Sequence, residues 1–450
     1  MSELSGLGMR FGQQVLRVFE ALLLGGTPAS LAEMEEGVRE SLLEVGRVVL
    51  ETWLALQESR YPEATVACSC GDKAVYQWLR EATLHTLLGT VRYKRAYYLC
   101  PTCHQGRCPL DERLGLRPGE MSADLEKLVG MTGAVESFGK GSDLFERLTL
   151  VGISPQSMDK ATQNYGEEVM AVESEWMAES NDPRALAEQE RAGKDGRRLY
   201  GTLDAVKVHC RERRSEDDEG WRDLKIGAWF QAEAQPPASP DDSWDIRAHD
   251  ITYYCDLAEA ERFGGLVWAS GFRREALRAS ELVFVADGAD WIWNIVKEHY
   301  PDATQIVDWF HAKERLGVVA RAAFSEGERQ KEWLRGAGEL LWAGRVDDVI
   351  ELFRGLMEQG HGVEEARKAT GYFSGHRERM NYAEFRAKGY QIGSGTVESA
   401  CKQIGLQRMK VPGATWSLEG ARRTAKARAS LLSNQWDALA ARRTHLARAA

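Results

Sequence analysis

Leu31, Met34, Val38, Leu42, Val45 and Val49 recur at steps of three and four, with Glu33, Glu35, Glu36 and Arg39 between them. That period belongs to one face of an α-helix. Residues 1–62 are therefore predicted to be a helical segment whose apolar stripe meets a core or a second copy. From Ala64 to Pro109 the texture changes: Thr86 to Leu99 is rich in Val, Tyr, Leu and Thr around Gly89, which predicts a β-ribbon with a turn. Residues 116–196 return to helical spacing. Asp143 to Leu148, the break Val151-Gly152-Ile153, then Ser154-Pro155 before Gln156 to Val172 read as a helix-turn-helix-like, DNA-binding segment. Ser suits the helix cap and Pro the first helical position. A polar connector, helical or flexible, follows from Glu173 to Lys194.

After Arg197 the pattern becomes α/β. Arg198 to Cys210 is apolar around one acid, Asp204, Asp223 to Ala232 alternates, and Asp250 to Cys255 is a third strand. A helix over 258–280 leads to the buried strand Leu282 to Ala286, which ends in Asp287-Gly288. The helix Trp291 to His299 and the short strand Thr304 to Val307 come next. Three strands, a helix, another strand and further α/β units is the order of an α/β ribonuclease-H-like catalytic core. It is predicted over 197–311 and 389–435, with a helical insertion at 312–388 and a basic tail at 436–450. Helical segments and a small zinc ribbon precede it.

The ribbon, residues 63–115, carries two close cysteine pairs, Cys68-Ser-Cys70 and Cys100-Pro-Thr-Cys103. Four thiolates on tight turns bridged by strands can reach one Zn²⁺ tetrahedrally at ~2.3 Å each. The first pair is C-x-C and the linker of about 30 residues is long, so His104 or Cys108 stands as an alternative ligand. Four protein ligands leave no open position, so such a zinc is structural.

A ribonuclease-H-like fold places one Asp in its first strand, a second at the end of its fourth and a third acid on a later helix. Those slots hold Asp204, Asp287 and Glu398, separated by 83 and 111 residues. Taken singly, each has a plainer reading: an acid paired with Arg, a turn residue, a first-turn acid favoured by the helix dipole. In this order they form a site for two Mg²⁺ (or Mn²⁺) ions ~4 Å apart, which assist an in-line phosphoryl displacement. No P-loop, G-x-S-x-G or H-E-x-x-H supports a rival chemistry.

Asp287-Gly-Ala-Asp-Trp-Ile-Trp293, Asp308-Trp-Phe-His-Ala312, Gly393-Ser-Gly-Thr-Val-Glu-Ser-Ala-Cys-Lys402 and Arg408-Met-Lys410 resemble the ISKra family of bacterial insertion-sequence transposases. Cys68-Ser-Cys-Gly, Thr86-Leu-Leu-Gly89 and Arg95-Ala-Tyr-Tyr-Leu-Cys100 extend the resemblance, which runs from about Cys68 to Asp437. It implies a DDE transposase that cleaves and joins insertion-sequence ends, with Asp204, Asp287 and Glu398 as catalytic metal ligands. Implied partners are terminal-repeat and target DNA, bound by a homodimer or larger assembly. The chain also resembles the wider Mutator-like group in its Asp-x-x-His, here Asp308 and His311, which implies a site-lining or DNA-positioning pair. Trp309-Phe310 stands where that group has a Phe-Tyr pair.

Charge sharpens the picture. The 450-residue chain has a net charge of −10, yet residues 388–450 hold eleven Lys/Arg against Glu398, Glu419 and Asp437. Lys402, Arg408, Lys410, Arg422, Arg423, Lys426 and Arg428 are therefore expected to track a DNA phosphate backbone past the metals. Trp416 and Trp436 are either base-stacking or core residues. No run approaches the ~20 apolar residues of a membrane span, and Met-Ser-Glu-Leu lacks the basic start of a signal peptide. A cytoplasmic, nucleoid-associated protein is expected, its eight cysteines thiols or metal ligands rather than disulfides. The competing readings are a ribonuclease-H-like nuclease or resolvase, and a DNA-binding regulator with a dead core.

Overall fold

A computed structural model of the chain describes residues 2–24, 30–58, 63–235 and 245–449. They form two compact units, one comprising 1–168 with 435–450 and the other 169–434. The boundary falls inside the helix Pro155–Ser180.

In the first unit, strands β1 (Thr65–Ala67), β2 (Lys73–Thr86), β3 (Gly89–Leu99) and β4 (Gly106–Arg107) make an antiparallel sheet in sequential order. The turn after β1 carries Cys68 and Cys70, and the turn after β3 carries Cys100 and Cys103. Ala67 pairs with Lys73, Val75 with Leu99, and Leu99 with Gly106, so both cysteine turns lie at one end of the sheet. The long linker between the pairs is the β2–β3 hairpin, which reverses at Leu87-Leu88. Helix Leu31–Glu58 buries Val48 and Leu54, while Leu31, Met34, Val38 and Leu42 stay exposed. Val49 is exposed as well and Val45 half-buried, so the face that meets the core is the one carrying Val48 and Leu54 rather than the predicted stripe.

The helix-turn-helix-like segment is helix Phe138–Thr149 followed by Pro155–Ser180. Leu150 ends the first in a left-handed conformation, at φ 61°. The Ser154 hydroxyl caps the second by accepting from the Ser157 N–H at 3.1 Å. The second helix continues eight residues beyond Val172, so the connector begins as helix, with Glu173 and Ser180 buried. Residues 436–449 form a helix rather than a loose tail. Trp436 is buried, stacks on Tyr165 with ring centroids 4.2 Å apart, and donates from its indole to the Lys127 carbonyl at 3.3 Å. It is a core residue of this unit.

The second unit is mixed α/β. Strands β5 (Arg198–His209), β6 (Trp221–Gln235), β7 (Asp245–Asp256), β8 (Glu281–Ala286) and β9 (Thr304–Val307) lie in the order β7-β6-β5-β8-β9. The first three are antiparallel, while β8 and β9 run parallel to β5. That arrangement is compatible with a ribonuclease-H-like core. Leu199, Leu203, Phe284, Val285, Ile306 and Val307 form the middle of its apolar core. Helix Ala260–Arg273 stops earlier than predicted, since Glu275 turns the backbone left-handed at φ 54°. Between Trp309 and Ala387 the chain is helical throughout, apart from connecting turns. Among the described residues, no helix is long and apolar enough to cross a membrane.

Candidate active site

Register brings the first two acids level. Gly201 of β5 pairs with Phe284 of parallel β8. Asp204 and Asp287 stand three residues further along each chain, where the Asp287 charge acts on Asp204. The short helix Gly395–Ala400 carries Glu398 in its first turn, as the glycines before it predict. A π-helix, Cys401–Met409, then continues over β5. Gly405 makes that approach possible, since a Cβ there would lie 2.5 Å from Val206 Cγ1.

Each acid has distinct surroundings. Asp204 accepts from the Ala205 N–H at 2.7 Å and from the Cys401 thiol at 3.3 Å. Burial pushes its carboxyl up, and Asp287 adds to the rise. Asp287 accepts from the Ala289 N–H at 2.9 Å, and Glu398 from the Ser394 hydroxyl at 3.4 Å. Among the described residues no Lys or Arg forms an ion pair with Asp204, Asp287 or Glu398, and His311 is the cation that acts on Asp204. Carboxylates with no Lys or Arg partner are compatible with divalent cations, which take oxygen ligands and keep several waters.

Asp308 behaves differently from a wall of the site. It has no exposed surface. It caps helix Trp309–Ala323 by accepting from the His311 N–H at 2.8 Å, and its other oxygen accepts from the Ser394 N–H. The Trp309 N–H donates to the Ile392 carbonyl at 2.9 Å beside it. Asp308 thus latches the start of the His311 helix to the loop that leads into Glu398. Burial works to raise its carboxyl, but the bonds from His311 and Ser394 outweigh it and hold it below the usual range. His311 Nδ1 lies 3.2 Å from Asp308, and that contact raises the imidazole to about 9 against the opposing effect of burial. Donor atoms of Asp308, His311 and Glu398 all fall within 4.8 Å of one another. With both Asp308 oxygens already occupied, that group is a hydrogen-bonded clamp rather than an ion cage. The predicted trio Asp204, Asp287 and Glu398 is more widely spread. Of the Asp-x-x-His pair, His311 reaches a cleft of about 370 Å³ beside Asp287.

The basic residues separate by burial, which corrects the expectation that all seven meet DNA. Lys402 and Lys410 are exposed, and Lys410 lies over the Trp221 ring at 5.7 Å. Arg423 is half-buried. Lys426 is 1% exposed, bound to Glu173, to Asp256 at 3.1 Å and to the Cys255 carbonyl at 2.7 Å. Arg422 pairs with Asp256 at 2.8 Å and Glu419 at 3.0 Å. Arg408 and Arg428 are buried, Arg408 against the half-buried Trp416. Charge spent on internal partners is unavailable to a phosphate.

In the first unit, the sulfurs of Cys68, Cys70, Cys100 and Cys103 all lie within 4.8 Å of one another. Cys68 and Cys103 are 3.5 Å apart, and Cys70 and Cys100 3.7 Å apart. Sulfurs ~2.3 Å from one tetrahedral ion would be about 3.8 Å apart, so the set fits Zn²⁺. His104 and Cys108 lie outside the group; Cys108 instead precedes helix Pro109–Leu114.

Sequence reasoning missed Ser394, Cys401, Arg315 and Tyr372. A signal existed for two of them: Arg315 is one helical turn beyond His311, and Cys401 is three residues beyond Glu398. No protein-family model and no curated protein matches the chain. Among solved structures it is similar to the Drosophila P element transposase strand transfer complex, at 10% identity and a TM-score of 0.23, over 72% of this chain and 81% of that one.

Proposed function

We propose that the protein is a DDE transposase of the ISKra type that cleaves and joins the DNA ends of an insertion sequence. The observation that carries this reading is the parallel register that levels Asp204 with Asp287, under a helix bearing Glu398. Asp204, Asp287 and Glu398 would hold the ions. When bound, Mg²⁺ (or Mn²⁺) supplies charge neutralisation at the attacking and leaving oxygens of a phosphoryl displacement. Cys401 and the Ala205 N–H hold the Asp204 carboxylate, and Ser394 holds that of Glu398. His311, kept protonated at neutral pH by Asp308, offers a positive charge to a DNA phosphate entering the cleft. A structural Zn²⁺ at Cys68, Cys70, Cys100 and Cys103 would fix the open end of the hairpin, opposite its Leu87-Leu88 reversal, in a DNA-recognising unit.

The test uses purified protein, Mg²⁺ and DNA carrying the inverted repeats that bound its reading frame. Cleaved and joined products are expected, and both should vanish in Asp204→Asn, Asp287→Asn and Glu398→Gln while metal-free DNA binding persists. Cut ends that are never joined would make the protein a nuclease. Binding without any metal-dependent cutting would make it a regulator.

A further inference from the structure

Arg315 stands one turn after His311 on helix Trp309–Ala323, and both line the cleft beside Asp287. Its guanidinium lies 4.8 Å from the centroid of the Tyr372 ring. Among the described residues it forms no ion pair, although Glu314 adjoins it in the same cleft. Tyr372 comes from helix Val363–Gly375 in the helical insertion and packs against Gly288, where a Cβ would lie 2.1 Å from its ring. Residue 288 must therefore be glycine for Tyr372 to sit there, immediately after Asp287. A guanidinium stacked on a ring loses little freedom when it binds, and its fork of donors fits a phosphodiester. Its charge is not spent internally, unlike that of Lys426 and Arg422.

We propose that Arg315, backed by Tyr372, is a phosphate-binding residue of this cleft and holds a phosphodiester neighbouring the reacting one. The assignment rests on the reading of the protein as a DNA-processing enzyme, and it gives the helical insertion a part in that site. Tyr372 acts as a positioning residue: it keeps the guanidinium at the cleft mouth beside Asp287.

The test measures binding of the full-length protein to a 30-base-pair duplex in Ca²⁺ across a salt series, alongside Mg²⁺-dependent cleavage. Arg315→Gln should weaken binding several-fold and flatten the plot of log affinity against log salt by about one unit, the value for one lost phosphate contact. Arg315→Lys should retain the slope but not the full cleavage rate, because an ammonium lacks the fork. Tyr372→Leu should reduce cleavage more than it changes the slope. Unchanged slope and affinity in a folded Arg315→Gln protein would overturn the assignment, even if cleavage still depends on Asp287. Conversely, an Arg315-dependent slope in a protein that never cleaves DNA would leave the phosphate contact standing and remove the enzyme reading.

Discussion

Asp308 has two jobs that differ in kind: its charge holds a proton on His311, and its shape ties Ser394 to the helix start. Asp308→Asn separates them, since Asn still caps a helix. In metal-free protein, the His311 titration followed by NMR should fall from about 9 toward the ordinary imidazole value of 6.5. The sign follows from linkage. A histidine raised by its partner contributes stability that is complete below about 6.5 and is lost as pH rises through about 9. Wild type should therefore lose melting temperature across that window, and Asp308→Asn should be lower overall by ~1–3 kcal/mol and flatter. A variant with wild-type pH dependence would show that Asp308 does not hold the proton. At this scale the sequence marks Asp204 inside a strand, Asp287 just past the end of one and Glu398 in the first turn of a helix, places that can be named from local pattern. The fate of the basic residues was hidden. Lys426 is neutralised by Glu173 and Asp256, far away in the chain, and a count of charges cannot distinguish a buried lysine from a solvated one.

The element that most constrains the site is the π-helix Cys401–Met409, which no periodicity announced, because nine residues hardly separate a π from an α spacing. Gly405→Ala should force it away from Val206 and carry Cys401 off Asp204. A cost of ~1–3 kcal/mol in denaturant unfolding is expected for such overpacking, with cleavage reduced further than stability alone explains. Val206→Ala in the same chain should recover part of both; full additivity of the two changes would mean that they do not meet. The cysteine-bearing end of the sheet in the first unit offers a second test. The strands and the meeting of the two cysteine pairs were legible in the sequence, and the pairing register gives the reason: it brings both turns to one end of the sheet. One zinc per chain is expected by elemental analysis. Chelation, or Cys100→Ser with Cys103→Ser, should melt the turns and cost several kcal/mol, since a structural metal contributes folding free energy. Metal-free protein with an unaltered melting curve would dismiss the zinc.

Across the whole molecule, the succession of strands and helices in the second unit was legible in the sequence, because local hydrophobic pattern sets each element. What could not be anticipated is that residues 435–450 belong with 1–168. Trp436 reads from sequence as a core residue more readily than a base-stacking one, and Tyr165 and the Lys127 carbonyl decide for the core. Removing residues 435–450 should leave the second unit's unfolding transition in place and lower that of the first, by ~3–5 kcal/mol if Trp436 is the main loss. Calorimetry reads both; an unchanged first transition would show that the C-terminal helix is dispensable.

That split unit also has a timetable. On the ribosome, Tyr165 emerges well before the tryptophan that covers it, with the second unit made in between. At about 5–20 residues per second, the wait is on the order of tens of seconds. The second unit, continuous in sequence, can fold during that interval, whereas the cysteine-bearing unit waits with an open apolar slot. Newborn chains should therefore be most exposed to proteases and chaperones near Tyr165, and a nascent chain stalled before Trp436 should bind a holdase that the finished protein ignores.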